Sequence, residues 1–172
     1  MGLLDQVADV LKEYAGGSTQ VPSNVNDHFD QVAELAPPNS VAEGIATAFH
    51  SNQTPAFGQM LSRLFSQSNG EQKAGILNQL ANSLGPTALS QLASGGVLAG
   101  LLDGGAKAFT PEQAQAVSPD LVEQLATHAE KSDPSIVDKA SAFYAQHPAL
   151  VKTLGGAALS IVLAHMAQRK AA

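Results

Sequence analysis

The chain of 172 residues carries 15 acidic and 9 basic side chains, a formal charge of -6 at neutral pH. Such a length supports one domain, or one domain with a smaller annex, around a core of its own. The absence of cysteine excludes disulfides, thiolate metal sites and cysteine nucleophiles, and the acidic balance argues against wrapping nucleic acid or adhering to anionic lipid.

The first expected helix carries an apolar stripe of Leu3, Val7, Leu11 and Tyr14. Its polar face holds Asp5, Asp9 and Glu13 against Lys12, the reverse of the basic face of a membrane-surface helix, so it is expected to dock on the body of the protein or on a neighbouring copy. The opening residues lack the basic and apolar regions of a secretion signal, and Gln6 stands where myristoylation wants Ser or Thr. An untargeted cytoplasmic protein is therefore expected. Ala15 to Gln20 reads as an exposed linker.

Helical stripes follow at Val25, Phe29, Val32 and Ala36, then at Val41, Ile45, Ala48 and Phe49, with Pro37-Pro38 forbidding a continuous helix between them. Phe57, Met60, Leu61, Leu64 and Phe65 form a stronger stripe, succeeded by Ile76, Leu77, Leu80 and Leu84 and, beyond Gly85-Pro86, by Leu89 and Leu92. Leu121, Val122 and Leu125 mark a further helix, and Ile136, Val137, Ala140, Phe143 and Tyr144 another. Four pairs, Thr54-Pro55, Thr110-Pro111, Ser118-Pro119 and Asp133-Pro134, join a side-chain acceptor to a ring preset for the first helical turn, so each predicts a helix start. Gln113, three residues after Thr110, completes a capping-box pattern. His147-Pro148 opens the last helix.

Between Ser94 and Lys107 an apolar island lies among glycines, with Gly96, Gly100 and Gly104 at four-residue spacing. The island is too short for a membrane span, and Gly105-Ala106-Lys107-Ala108 lacks the ending of a phosphate loop. It reads as a connector dividing an N-terminal region, 1–103, from a C-terminal region, 104–172, packed together as one compact domain.

The C-terminal segment is the most apolar. Thr153 to Ala167 runs without a charged residue, yet it falls short of the roughly 20 apolar residues of a spanning helix. As one helix from Pro148 it shows a bulky face of Leu150, Val151, Leu154, Ala158, Ile161, Val162 and His165 and a seam of small residues, Thr153, Ala157, Ser160, Ala164 and Ala167. It is expected to be the buried central helix of the bundle.

The histidines, His28, His50, His128, His147 and His165, include no pair at helical ligand spacing. A tertiary site near His28 would draw on Asp27, Asp30 or Glu34, and His165 reads as a hydrogen-bonded core imidazole. The nucleophile elbow, paired zinc-binding histidines and dinucleotide glycine fingerprint are missing, so no catalytic residue, metal or cofactor is assigned.

The opening Met1-Gly2-Leu3-Leu4-Asp5-Gln6-Val7, with glycine-interrupted segments rich in Leu, Gln and Ser around Gly95 to Gly105, resembles the YidB-like family of small bacterial proteins. The resemblance implies a bacterial source and a helical fold, and it transfers no catalytic residue; the region from Phe109 onward departs from the short members of that family.

The sequence thus predicts an all-α bundle of about eight to ten short helices ending in a long buried one. The expected function is non-enzymatic binding, through self-association or a protein partner. The alternative is a carrier of an apolar molecule such as a fatty acyl chain, with Phe57, Met60, Phe65, Phe143 and Tyr144 as wall residues. An enzyme comes third.

Overall fold

The computed structural model describes residues 2–15, 21–93 and 108–171. Among the described residues there are ten helices and no strand: α1 (Leu3–Ala15), α2 (Val25–Leu35), α3 (Pro38–His50), α4 (Phe57–Gln67), α5 (Gly70–Ala93), α6 (Pro111–Gln115), α7 (Pro119–Ser132), α8 (Ile136–Ala145), α9 (Pro148–Val151) and α10 (Gly156–Ala171). The all-α multi-helix bundle expected from the apolar periodicity is the observed fold.

The helices gather into two compact units, one formed by Met1–Ala56 with Ser141–Ala172 and the other by Phe57–Ala140. The expected division between 103 and 104 lies outside the described residues, as do the glycines at 96, 100 and 104 and residues 16–20 of the expected linker.

In the first unit α10 is the central helix, packed by α1, α2 and α3. Its buried residues are Ala158, Leu159, Val162, Leu163, Met166 and Ala167. Around them lie Val7, Leu11 and Tyr14 of α1, Val25, Phe29 and Val32 of α2, and Val41, Ile45, Ala48 and Phe49 of α3. Each large aliphatic or aromatic side chain so buried contributes about 1.5–3 kcal/mol. The stripes read along α1 to α3 are therefore the core faces. The closest helix crossing depends on Gly44. A Cβ there would lie 2.8 Å from Val162 Cγ1 and 3.1 Å from the Val162 carbonyl oxygen, so α3 can approach the α10 backbone only without a side chain.

In the second unit α4 packs on α7, and α5 packs on α6 and α7. Phe57, Met60, Leu61, Leu64 and Phe65 are all buried, as are Ile76, Leu77, Leu80, Leu84, Val122 and Leu125. Gly58 plays the part of Gly44, since a Cβ there would meet Thr127 Oγ1 at 2.6 Å and the Glu123 carbonyl oxygen at 2.8 Å. Gly85 breaks α5 with φ 77° and ψ 166°, as its pairing with Pro86 predicts.

The C-terminal segment is not one helix. After α9 the chain makes a 3-10 turn over Lys152–Leu154, Gly155 adopts φ 98°, and α10 leaves at 120° to the preceding segment. A left-handed residue cannot continue a right-handed helix, and glycine adopts that conformation without a Cβ clash. Of the expected bulky face Leu150, Val151, Leu154, Ala158 and Val162 are buried, and beyond the break Leu159, Leu163 and Met166 join them. Ile161 and His165 are only partly covered, Ala157 is exposed, and Ala167 alone of the expected small seam is buried. The seam is thus not the crossing surface.

The helix starts divide similarly. Thr110 and Gln113 form the full capping box, and Ser118 caps α7 through the Leu121 N–H. Thr54 starts no helix; its hydroxyl donates to the carbonyls of Ala48 and Ser51 and closes the end of α3. Asp133 ends α7, and α8 begins later, at Ile136.

Candidate functional site

At one end of the first unit, the last turn of α2, the first turn of α3 and the last turns of α10 meet α1 around a cleft of about 370 Å³. Its apolar lining comes from Val7 and Leu11 on α1, Val32 and Leu35 on α2, Ala36 and Pro37 in the link, and Met166 on α10. Ser40 and Arg169 are its polar members. The cleft edge follows from the local sequence. Ala36 and Pro37 are extended, with ψ of 147° and 140°. Pro38 then sits at the first position of α3, where its missing N–H costs nothing. The link is short and stiff, and Leu35 is left projecting beside it.

Val7, Leu11, Val32 and Met166 are buried and form the floor, whereas Leu35 is 39% exposed. Leu35 shares this exposure with Val21, another large hydrophobic side chain. A smaller hollow shares Val7 and Leu35 with the cleft and adds Gln6, Gln31 and Glu34. Leu35 thus stands between an apolar cleft and a hollow rimmed by polar groups.

Beside Arg169, polar side chains outside the cleft lining link α3 to α10. Arg169 donates through Nη1 to Glu43 Oε2, one of five donors that a guanidinium presents. Thr47 Oγ1 gives its proton to the Glu43 carbonyl at 2.9 Å, so it accepts from His165 Nδ1 at 3.2 Å. That places a ring proton on Nδ1, while Nε2 lies 3.9 Å from Glu43 Oε2 and makes no hydrogen bond. His165 is therefore a half-buried partner of α3, and the expectation of a core imidazole at this position is corrected.

The imidazole in the core is His28, 8% exposed. Its Nδ1 lies 2.9 Å from Tyr14 Oη and its Nε2 lies 2.8 Å from Asn24 Nδ2. Both ring nitrogens are thus engaged, which ties α1 to α2. Burial pushes the Tyr14 phenol up to about 12, and the neighbouring Glu13 carboxylate adds to the rise. Of the acids considered as ligands beside His28, Asp30 pairs with Lys152 at 2.9 Å. Among the described residues no group of three His, Asp or Glu side chains is placed to hold a metal ion.

The five expected wall residues do not share one unit. Phe57, Met60 and Phe65 are core residues of α4 in the second unit, while Phe143 and Tyr144, on α8, belong to the first. Phe143 stacks edge-on against Tyr144 and at a tilt against His147. None of the five lines the cleft. Leu35 could have pointed to it, because it is a large apolar residue outside the Val25, Phe29, Val32 stripe of its own helix and directly precedes the link.

No single helix among the described residues is long and apolar enough to cross a membrane; the bent pair Pro148–Leu154 and Gly156–Arg169 passes that test only when joined, and its α10 half is the core of the first unit. Comparison with family models, curated proteins and solved structures returns no match.

Proposed function

We propose that the chain is a non-enzymatic binding protein whose binding element is the apolar cleft of the first unit, taking an elongated apolar small molecule of the acyl-chain type. The observation that carries this is the cleft itself: its volume of about 370 Å³ falls in the range of roughly 300–1,000 Å³ typical of small-molecule sites, with apolar walls and few polar groups. Val7, Leu11, Val32 and Met166 supply a preformed floor, and Leu35 supplies a lip that an apolar chain would cover. A cysteine-free chain suits a reducing cytoplasm, where such a carrier would work.

Isothermal titration with decanol tests the proposal. Binding with a negative heat-capacity change is expected, as apolar surface leaves water. Leu35→Gln removes a contact at the lip rather than in the core, and it should weaken binding about tenfold while the helical content is retained. No heat at any temperature, or full affinity in the variant, would refute the assignment.

A further inference from the structure

We infer that the cleft selects an anionic amphiphile, a single apolar chain ending in a carboxylate, with the head group at Arg169 and Ser40 and with Glu43 competing for the same guanidinium. This selectivity rests on the cleft being the binding site. The polar linings of the cleft and of the hollow beside it differ in charge. Ser40 and Arg169 are the polar residues of the cleft wall, and α3, which carries Ser40, has no acidic residue in its first turn. The hollow that shares Val7 and Leu35 with the cleft carries Glu34 with Gln6 and Gln31. A carboxylate placed beside Glu34 would be repelled, and beside Arg169 it would be attracted, so the charges fix one orientation of an acid.

Arg169 is already held by Glu43 through one Nη1–H, and the remaining N–H groups of its planar fork can donate to a second carboxylate. An uncharged alcohol of the same chain length can accept a hydrogen bond from the guanidinium but carries no charge of its own, so it forfeits the bidentate ion pair that a carboxylate makes. Glu43 therefore lowers the positive charge that an incoming acid meets at Arg169.

The test compares decanoate with decanol on the full chain at neutral pH and low ionic strength, in the unaltered protein, in Arg169→Gln and in Glu43→Gln, each checked for retained helicity. Decanoate should bind about tenfold more tightly than decanol to the unaltered protein. Arg169→Gln should weaken decanoate about tenfold more than decanol, abolishing the preference between them, and Glu43→Gln should tighten decanoate more than decanol. Equal affinities in the unaltered protein, an equal loss of both ligands in Arg169→Gln, or weaker decanoate binding in Glu43→Gln would each overturn the head-group assignment while decanol binding still upholds the cleft. Failure of both ligands to bind would instead refute the cleft.

Discussion

Tyr14 and His28 form the polar contact that ties α1 to α2 across the undescribed residues 16–20, and their burial makes it consequential. Tyr14→Phe leaves a buried ring nitrogen without its 2.9 Å partner, so urea denaturation should register a loss of about 1–3 kcal/mol. The phenol also imposes a pH dependence. Its folded value of about 12 exceeds the usual value near 10, so the fold favours the protonated form. That contribution is intact below about pH 10 and is lost as pH rises toward 12. Stability measured across that interval should fall in the unaltered protein, and the slope should flatten in Tyr14→Phe. The sequence placed the core imidazole at 165 and missed 28, because the face containing His165 was drawn through a helix that Gly155 interrupts. The α2 stripe did carry the signal, since Val25, His28, Phe29 and Val32 stand at i, i+3, i+4 and i+7 on one face; what it could not reveal is that the imidazole would meet a phenol on another helix.

At the scale of elements, the apolar periods were legible almost throughout: Val7, Leu11, Phe29, Val32, Ile45, Phe49, Leu61, Leu64, Leu77 and Leu80 of the stripes of α1 to α5 are buried, since a helix must hide one side whatever its neighbours. Thr110 was legible too, because a capping box is satisfied within four residues. Thr110→Ala should cost about 1 kcal/mol in thermal or urea unfolding. Thr54 and Gly155 were misread for a shared reason. The same residue can open one helix or close the one before it, and a glycine pair inside an apolar run fits either a helix or a break. Crossing geometry was hidden altogether. Gly44 looks like a weak point of α3 in sequence, yet it is where α3 meets Val162, so Gly44→Ala should destabilise the protein by about 1–3 kcal/mol through overpacking, although alanine is the better helix former. A gain in melting temperature for that variant would contradict the close crossing.

The whole molecule joins a contiguous unit, Phe57–Ala140, to one assembled from both ends of the chain. Apolar patterning records which residues are buried but not which core they enter, which is why Phe57 and Tyr144 were grouped as walls of one pocket. Because the second unit has its own core in α4, α5 and α7, a fragment of residues 57–140 is expected to be helical by circular dichroism and to unfold cooperatively; a featureless, non-cooperative fragment would contradict that independence. The same division allows a direct test of where an apolar ligand binds. The chain has three methionines, and two of them report on different units: Met60 lies in the core of α4 and Met166 in the floor of the cleft. With the methionine methyl groups labelled for NMR, titration with decanoate should shift the Met166 resonance saturably and leave that of Met60 in place. A shift at Met60 without one at Met166, or no shift at either, would contradict binding in the cleft.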